Sequence, residues 1–193
     1  NISNEIGILQ SFTMKERTLN ELEFFNVSYF NTGKISTTEI YTRTPFYVEL
    51  DYDTLQTTGI RYMINIVDHN KYKLKVYEKR CNVYDYKKNQ NAGYVEIPEF
   101  EEEYNLGEWI NNGYNRFRII LNSNYDPEKN KEDKLSFSIN SKLALAGEMS
   151  GLAISQISKE SSIIRLTLNG RNPQKITDYL NKLLEEYLER NLE

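Results

Sequence analysis

The pattern of apolar and polar positions divides the chain into a helical start, a strand-rich middle and a mixed end. Apolar residues at helical spacing, including Leu9 and Leu19, predict a helix over residues 3–23. The short runs at 24–30 and 38–41 are rich in aromatic and β-branched residues, which favour extended backbone. We therefore expect one N-terminal helix followed by two short extended segments.

In the middle of the chain, short runs of alternating apolar and polar residues predict β-strands with no long helix between them. The clearest case is a hairpin with strands at 61–68 and 72–78 and its turn at His69-Asn70. Strand-like runs recur at a spacing of roughly ten residues, which is typical of a β-sandwich or a jelly roll. A polar loop, 124–134, closes this block.

The last part of the chain alternates between strand-like and helical segments. Residues 134–139 are strand-like, 141–149 favour a short helix, and the runs 151–157 and 162–168 predict two strands joined by a polar turn. The simplest topology combines these segments with the N-terminal ones, so that both chain ends build one mixed α/β unit.

The most strongly patterned segment is the helix that begins after Asn172 and Pro173. Asparagine can accept hydrogen bonds from the first-turn amides, and proline suits the first helical position, where no amide hydrogen is needed. No glycine or proline follows before Glu193, so we expect the helix to continue in a longer parent protein. We expect its apolar face to pack on a sheet, and the residues of that face are Ile176, Leu180, Leu183, Leu184, Tyr187 and Leu188.

Together these segments predict an α+β protein of two parts. Residues 1–45 and 134–193 would form a discontinuous α/β domain, and residues 46–133 would form an inserted antiparallel domain resembling a β-sandwich or jelly roll. A chain of this length buries about 70% of its unfolded surface, so a sizeable core is feasible.

Composition narrows the classes of function. The net charge of −4 argues against a nucleic-acid-binding surface. No stretch is long and apolar enough to span a membrane. The single cysteine, Cys81, excludes an internal disulfide, and a structural thiol is the preferred interpretation because His69 is the only histidine that could activate it.

Few residues form patterns that carry chemistry. His69 lies beside Asp68 in a predicted turn, but a metal site usually needs three or four ligands, so neither a metal nor a cofactor is predicted. Asp51 and Asp53 would share one face of a strand and resemble the acid pair of a glycosidase. We prefer a structural role for both carboxylates, since acidic residues are common at strand ends.

Charge is segregated along the middle of the chain. Residues 71–88 hold seven basic side chains, and residues 96–108 hold six glutamates. The simplest interpretation is two solvated faces that pair with each other, and the alternative is complementary edges between neighbouring subunits. Trp109 and most tyrosines are expected in the core or in cross-strand pairs, with stacking on sugar rings as the alternative.

Two stretches near the chain ends carry a family pattern. The N-terminal stretch has Ile6-Gly7-Ile8-Leu9-Gln10-Ser11, followed by Glu39-Ile40-Tyr41 and Pro45-Phe46. The C-terminal stretch has a serine-containing strand, a Gly-x-Asn-Pro turn and a Tyr-Leu-Asn element, with the residues Ser162, Gly170, Asn172, Pro173, Tyr179, Leu180 and Asn181. Together they resemble the periplasmic domain of Bacteroidetes-type polysaccharide co-polymerases, also called chain-length determinant proteins, which are often fused to or partnered with a bacterial tyrosine kinase.

The resemblance implies the periplasmic part of a bacterial inner-membrane protein, anchored by spans outside this sequence. Such domains form homo-oligomeric rings, and they act with the polysaccharide polymerase and export machinery on the chain length of O-antigen, capsule or exopolysaccharide. The resemblance implies no enzyme activity for this fragment, because any kinase domain would be cytoplasmic. It does not extend to residues 46–133.

Two other hypotheses stay open. In the first, the β insert is a glycan-binding module, and a clustered, solvent-facing patch of tyrosines would favour it. In the second, the protein is a glycoside-active enzyme, which requires paired carboxylates in a cleft; Asp51 and Asp53 are the only candidates.

Overall fold

The computed structural model describes residues 1–192, which separate into two compact units. The β unit comprises Val27–Ser141, and the terminal unit comprises Asn1–Asn26 together with the segment from Lys142 onward. Across the described residues there are four helices and 14 strands, the latter in several antiparallel sheets. The predicted fold class, α+β with an antiparallel β insert, is confirmed.

The strands of the β unit form three sheets. In chain order these strands are β1 (Val27–Thr32), β2 (Thr37–Glu39), β3 (Phe46–Leu50), β4 (Gln56–Thr58), β5 (Arg61–Ile66), β6 (Lys71–Val76), β7 (Lys79–Asp85), β8 (Gln90–Ile97), β9 (Phe100–Asn105), β10 (Ile110–Asn111), β11 (Arg116–Leu121) and β12 (Leu135–Ile139). The six-stranded sheet has the order β2-β1-β12-β5-β6-β9. The β11 sheet has the order β10-β11-β3, and the β7 sheet has the order β4-β7-β8.

The hairpin predicted at His69-Asn70 is confirmed as β5 and β6, in which Ile66 lies opposite Tyr72. Tyr72, Leu74 and Val76 are fully buried on one face of β6. The intervening lysines point to the other face, because successive side chains of a strand alternate. The period-2 pattern in the sequence therefore identifies the inner face of the sheet.

Aromatic rings fill the space between the six-stranded sheet and the β11 sheet. Tyr62 and Phe137 stack with centroids 5.0 Å apart, and Phe117 of the β11 sheet contacts Phe137 edge to face at 5.6 Å. Phe46 of β3 adds a further edge contact to Phe137 at 6.1 Å. All four rings are essentially inaccessible to solvent, so they form the centre of this core.

The boundaries of the β unit differ from those suggested by the sequence. β1 pairs with β12, and β12 pairs with β5, so residues 27–45 and 134–141 lie in the β unit. The sequence pattern predicts both segments in the terminal domain, which is wrong. The physical reason is that Tyr29 on β1 and Phe137 on β12 contribute buried rings to the core of the six-stranded sheet.

The terminal unit is mainly helical. Its helices are α1 (Ile2–Gln10), α2 (Phe12–Asn20), α3 (Lys142–Glu148) and α4 (Pro173–Arg190). The strands β13 (Ala153–Gln156) and β14 (Ile164–Thr167) pair as an antiparallel ribbon, with Ile154 opposite Leu166. The two predicted strands and the polar turn between them are thus confirmed.

The prediction of a single helix over residues 3–23 is wrong in one respect, because the helix is interrupted at Ser11. Ser11 has extended backbone angles, φ −64° and ψ 150°, and its hydroxyl accepts a hydrogen bond from the amide of Met14 at 3.2 Å. It is therefore the N-cap of α2 and ends α1.

The main packing partner of helix α4 is helix α2. The expectation that the apolar face of α4 packs on a sheet is therefore wrong. Leu183 of the predicted face is fully buried, but Leu184 is 38% exposed. Tyr179, which is not part of the predicted face, is almost completely buried. Further along, Leu188 and Leu192 are largely exposed, so the apolar stripe extends beyond the part that is buried.

Candidate functional site

The family-pattern residues at the start of α4 form a tight turn and cap. The Asn172 side chain accepts a hydrogen bond from the Lys175 amide at 3.1 Å, and Pro173 occupies the first helical turn. A Cβ added to Gly170 would lie 2.4 Å from Cδ1 of Ile176, so any larger residue there requires the Ile176 side chain to move. Gly170, Asn172 and Pro173 therefore set the entry of the chain into α4.

The other family-pattern residues divide between core and surface. Tyr179 is 1% exposed, and burial raises its pKa to about 12. Leu180 is half-buried, while Ser162 and Asn181 are exposed. Six of the seven residues lie on α4 or in the turn before it, which gives the pattern an architectural rather than a chemical character.

Charged side chains lie inside the terminal unit, and no pattern in the sequence predicts them. Glu186 accepts a hydrogen bond from Arg17 Nε at 2.6 Å, and its side chain is 8% exposed. The Nζ of Lys142 donates to the carbonyl of Leu19 at 2.7 Å, and burial lowers the pKa of this lysine. These contacts join α2 to α3 and α4, so they connect the two ends of the chain.

The carboxylates proposed as a catalytic pair are held in structural contacts. β3 ends at Leu50, and the chain turns at Asp51, so the prediction that Asp51 and Asp53 share a strand face is wrong. Asp51 accepts from the Asp53 amide at 3.0 Å and pairs with Arg116, and these bonds hold its pKa below the usual value. Asp53 pairs with Lys87 at 2.9 Å. An ionised, paired Asp51 is a poor general acid.

His69 lies in an exposed turn, as its sequence context suggested. The Asp68 side chain accepts hydrogen bonds from the amides of Asn70 and Lys71 at 2.7 and 3.0 Å, which closes the turn. The imidazole packs edge to face against Tyr125 at 5.4 Å. Within residues 1–192, no group of three or more histidine, cysteine or acidic side chains is placed to hold a metal ion.

Cys81 is a buried thiol on β7. It is 6% exposed, and its Sγ lies 3.8 Å from the carbonyl oxygen of Val95. Burial raises the pKa of the thiol, which lowers the fraction of reactive thiolate. Cys81 is therefore an inert core residue.

The segregated charges of the sequence meet across neighbouring strands. β6 pairs with β9, and Lys71 lies 3.1 Å from Glu103 while Lys75 lies 3.8 Å from Glu101. On the β7 sheet, Arg80 lies opposite Glu96 in the register. The interpretation that the basic and acidic runs pair with each other is confirmed for β6 and β9.

Exposed aromatic rings of the β unit are accompanied by basic side chains. The rings are those of Tyr77, Tyr94 and Trp109, exposed by 55%, 65% and 41%. Each has a cationic group 4.9–5.0 Å from its centroid: Lys75 lies over Tyr77, Arg80 over Tyr94, and Arg116 and Arg118 over Trp109. No two of these rings make a ring–ring contact in the part of the chain that the structure describes, so they do not form a tyrosine cluster.

A buried polar cluster lies where the three sheets of the β unit meet. Asn115, 2% exposed, accepts hydrogen bonds from the hydroxyls of Thr57 and Tyr62 and donates to Gln56 at 2.8 Å. A pocket of about 250 Å³ adjoins it, lined partly by Asn115, Thr57 and Arg116. Since Asn115 is bonded internally and Arg116 is paired with Asp51, this pocket presents few free polar groups.

A larger, shallow pocket of about 590 Å³ lies on the β7 sheet. Two basic side chains, Lys79 and Arg80, line it together with Thr58, Asn82 and the exposed ring of Tyr94. Asn82 lies opposite Thr58 on β4 and opposite Tyr94 on β8, so these three positions form a row across the sheet. This pocket combines free cations, uncharged polar groups and an exposed ring, which makes it the best candidate for ligand binding.

Among residues 1–192, no helix is long and apolar enough to cross a lipid bilayer. No protein-family model matches the chain, and no curated protein matches it.

Proposed function

We propose that the chain is the periplasmic, non-catalytic part of a bacterial polysaccharide co-polymerase. In this proposal the terminal unit assembles into a homo-oligomeric ring in the full-length inner-membrane protein. The ring acts with the polymerase and export machinery on the length of a capsular polysaccharide or exopolysaccharide. The β unit is an insertion that projects its own surface for recognition.

One observation carries the proposal: the segment Ile6–Ser11 and the C-terminal family pattern belong to one folded unit, although Glu39-Ile40-Tyr41 and Pro45-Phe46 lie in the β unit. Ile6–Ser11 lies in α1 and the N-cap of α2, and Ser162 to Asn181 spans β14 and the first half of α4. The Arg17–Glu186 ion pair and the packing of α4 on α2 hold these distant parts of the chain together. A shared unit is what the resemblance requires, since both stretches belong to a single domain in that family.

The state of the candidate catalytic groups is consistent with a scaffold. Asp51 and Asp53 are each ion-paired, His69 lies in a turn, and the Cys81 thiol is buried. Each has a structural contact that accounts for its presence. The glycoside-active hypothesis therefore has no pair of free carboxylates to carry it.

The proposal is tested in the source bacterium by deleting the gene and restoring it on a plasmid. The surface polysaccharide is then separated by size on a gel. Deletion is expected to change the modal chain length or abolish export, and the restored gene is expected to recover the original distribution. An unchanged distribution after deletion contradicts the proposal.

A matched variant links that result to the terminal unit. Gly170→Val places a branched side chain where Ile176 packs, and it is expected to fail to restore the distribution. Gly33→Ala, which follows β1 in the β unit, serves as a control for expression and export, because the added Cβ would meet only Ser36 O, at an ordinary contact distance of 3.5 Å. The mass of the full-length protein in detergent gives the second readout, and a strict monomer would contradict ring assembly.

A further inference from the structure

We propose that the pocket on the β7 sheet binds an acidic saccharide, with Arg80 pairing with the carboxylate of a uronic-acid unit and Lys79 adding positive charge to the pocket. The choice of a saccharide rests in part on the proposed function, whereas the site itself follows from the geometry. None of the residues that line it belongs to the family pattern.

The row Thr58–Asn82–Tyr94 gives the pocket its length. These residues lie on adjacent strands of the β7 sheet, and adjacent strands are about 4.8 Å apart, so the row spans roughly 10 Å. A hydroxyl, an amide and a phenol follow one another along it, and each can donate and accept hydrogen bonds. Such a row suits the hydroxyl groups of a short saccharide.

The Tyr94 ring supplies the apolar part of the site. It is 65% exposed, although large aromatic side chains are mostly buried in this protein. The guanidinium carbon of Arg80 lies 5.0 Å from the ring centroid, which holds both side chains beside each other. An exposed ring with a polar tip next to hydrogen-bonding groups provides a flat surface for the C–H face of a sugar.

The cations of the pocket lack the partners that neighbouring cations have. Lys71 and Lys75 on β6 are ion-paired with glutamates, whereas neither Lys79 nor Arg80 makes an ion pair with any residue from 1 to 192. Lys79 Nζ donates one hydrogen bond, to the carbonyl of Gly59 at 3.2 Å, so two of its donors stay free. Lys79 and Arg80 are consecutive on β7, so Arg80 shares its face with Asn82 and Tyr94. Its guanidinium is suited to pair with a carboxylate, while Lys79 adds positive charge to the pocket.

The surrounding charge limits the size and charge of the ligand. Glu96 lies opposite Arg80 in the strand register, and the acidic run of β9 follows in the chain at Glu101–Glu103. Together with the net charge of −4, these carboxylates repel a long polyanion such as a nucleic acid. A short saccharide with widely spaced carboxylates fits the site better than a densely charged chain.

The test is a titration of the purified chain with trigalacturonic acid, followed by calorimetry or by NMR. Its methyl ester, which lacks the charges but keeps the rings and most hydroxyls, is the matched ligand control. We expect saturable binding of the acid and at least tenfold weaker binding of the ester, since a charge-assisted hydrogen bond contributes about 1.5–3 kcal/mol. Equal binding of the two ligands, or no saturable binding at millimolar concentration, overturns the proposal.

Variants locate the binding on the surface. Arg80→Gln and Lys79→Gln are each expected to weaken binding of the acid about tenfold, and Tyr94→Ala is expected to weaken both ligands. Glu96→Gln is expected to strengthen binding of the acid, because it removes a competing carboxylate. Lys73→Gln, an exposed lysine on β6, is the control and is expected to change nothing. Equal weakening by Lys73→Gln would mean nonspecific attraction and would overturn the site.

Two further outcomes distinguish saccharide binding from binding of another polyanion and from the proposed function. Tighter binding of a polyglutamate peptide or of single-stranded DNA than of the saccharide overturns the ligand class. Failure of saccharide binding leaves the gene-deletion test of the proposed function unaffected. Conversely, an unchanged polysaccharide after gene deletion would contradict the proposed function but not a measured affinity of the pocket for the saccharide.

Discussion

Glu186 on α4 accepts a hydrogen bond from Arg17 on α2 at 2.6 Å, although 169 residues separate them in sequence. The carboxylate is 8% exposed and the guanidinium side chain 32% exposed, so this ion pair is largely withdrawn from water. It is one of the few polar contacts in the terminal unit that join the N-terminal and C-terminal segments. Its removal is therefore a direct test of how that unit is held together.

Replacing Arg17 with methionine leaves the Glu186 carboxylate buried without its main partner. Removing one partner of a fully buried ion pair costs about 3–5 kcal/mol, and the partial exposure of Arg17 reduces this to about 2–3 kcal/mol. We expect a matching fall in the urea midpoint for unfolding of the terminal unit, measured by far-UV circular dichroism. The double variant Arg17→Met/Glu186→Leu is expected to recover most of the loss.

The control for this experiment is Lys182→Met, which breaks an exposed i,i+3 pair with Glu185 on the same helix. It is expected to leave the midpoint unchanged, because exposed pairs contribute little. If the single and double variants at Arg17 and Glu186 lose equal stability, the buried charge is not the cause.

Gly170 and Ile176 form a second pair that can be tested by a double-mutant cycle. Gly170→Ala is expected to destabilise by about 1–3 kcal/mol, because its Cβ would lie 2.4 Å from Ile176 Cδ1 and 2.8 Å from Ile176 Cγ1. In an Ile176→Ala background the same change is expected to be neutral or slightly stabilising, since alanine restricts the unfolded chain. Thermal unfolding of the four proteins measures this. Equal costs in both backgrounds would show that the contact is not responsible.

Asn115 is the centre of the buried polar cluster in the β unit. Asn115→Leu removes the acceptor shared by Thr57 and Tyr62 and the donor to Gln56, although the two hydroxyls keep their mutual hydrogen bond of 3.1 Å. We expect a loss of about 2–4 kcal/mol, measured by urea unfolding with tyrosine fluorescence. Asn65→Ala, exposed on β5, is the control and is expected to stay within about 0.5 kcal/mol of the parent.

Asp51 predicts a dependence of stability on pH. Its folded-state pKa lies below the unfolded value of about 3.9, because it accepts from the Asp53 amide and pairs with Arg116. A lowered pKa contributes stability that is present above the unfolded pKa and is lost as the pH falls through the folded pKa. The urea midpoint of the parent is expected to fall as the pH is lowered from 5 through the folded-state pKa of Asp51. We expect Asp51→Asn to make this fall smaller. If the urea midpoint of the variant falls with decreasing pH as much as that of the parent, this assignment is contradicted.

Cys81 gives a chemical probe of the β unit. Because the thiol is buried and its pKa is raised, the native protein is expected to react slowly with iodoacetamide at neutral pH. The rate is expected to rise in urea together with loss of the β signal in circular dichroism. Fast labelling of the folded protein would contradict the inert role assigned here.

Local patterns in the sequence predicted the features that depend on neighbouring residues. The alternation of Tyr72, Leu74 and Val76 identified the inner face of β6, and Asn172 with Pro173 marked the start of α4. In both cases the physical cause lies within a few residues: side chains of a strand alternate, and a helix start needs a cap.

Features that depend on distant partners were missed or misplaced. Ser11 was hidden inside a continuous helical period, although its side chain caps α2. The pairing of β1 with β12 moved both strands into the β unit, and nothing in either strand alone specifies that partner. Among the site residues, Lys79 and Arg80 were noted only as part of a basic run. What separates them from Lys71 and Lys75 is that those two lysines form ion pairs with glutamates of β9, whereas Lys79 and Arg80 form none with the described residues.

The pairing of β1 with β12 has a consequence for how this protein changes over evolutionary time. Val27 and Ile139, near the two ends of the β unit, are partners in the same ladder, and such partners have Cα atoms about 5 Å apart. The whole unit therefore begins and ends at nearly one point, as a tight turn does. A module attached in this way can be exchanged, enlarged or lost without altering the spacing of the chain segments that flank it. Ligand preference in the β unit is thus free to diversify while the helical framework keeps its residues.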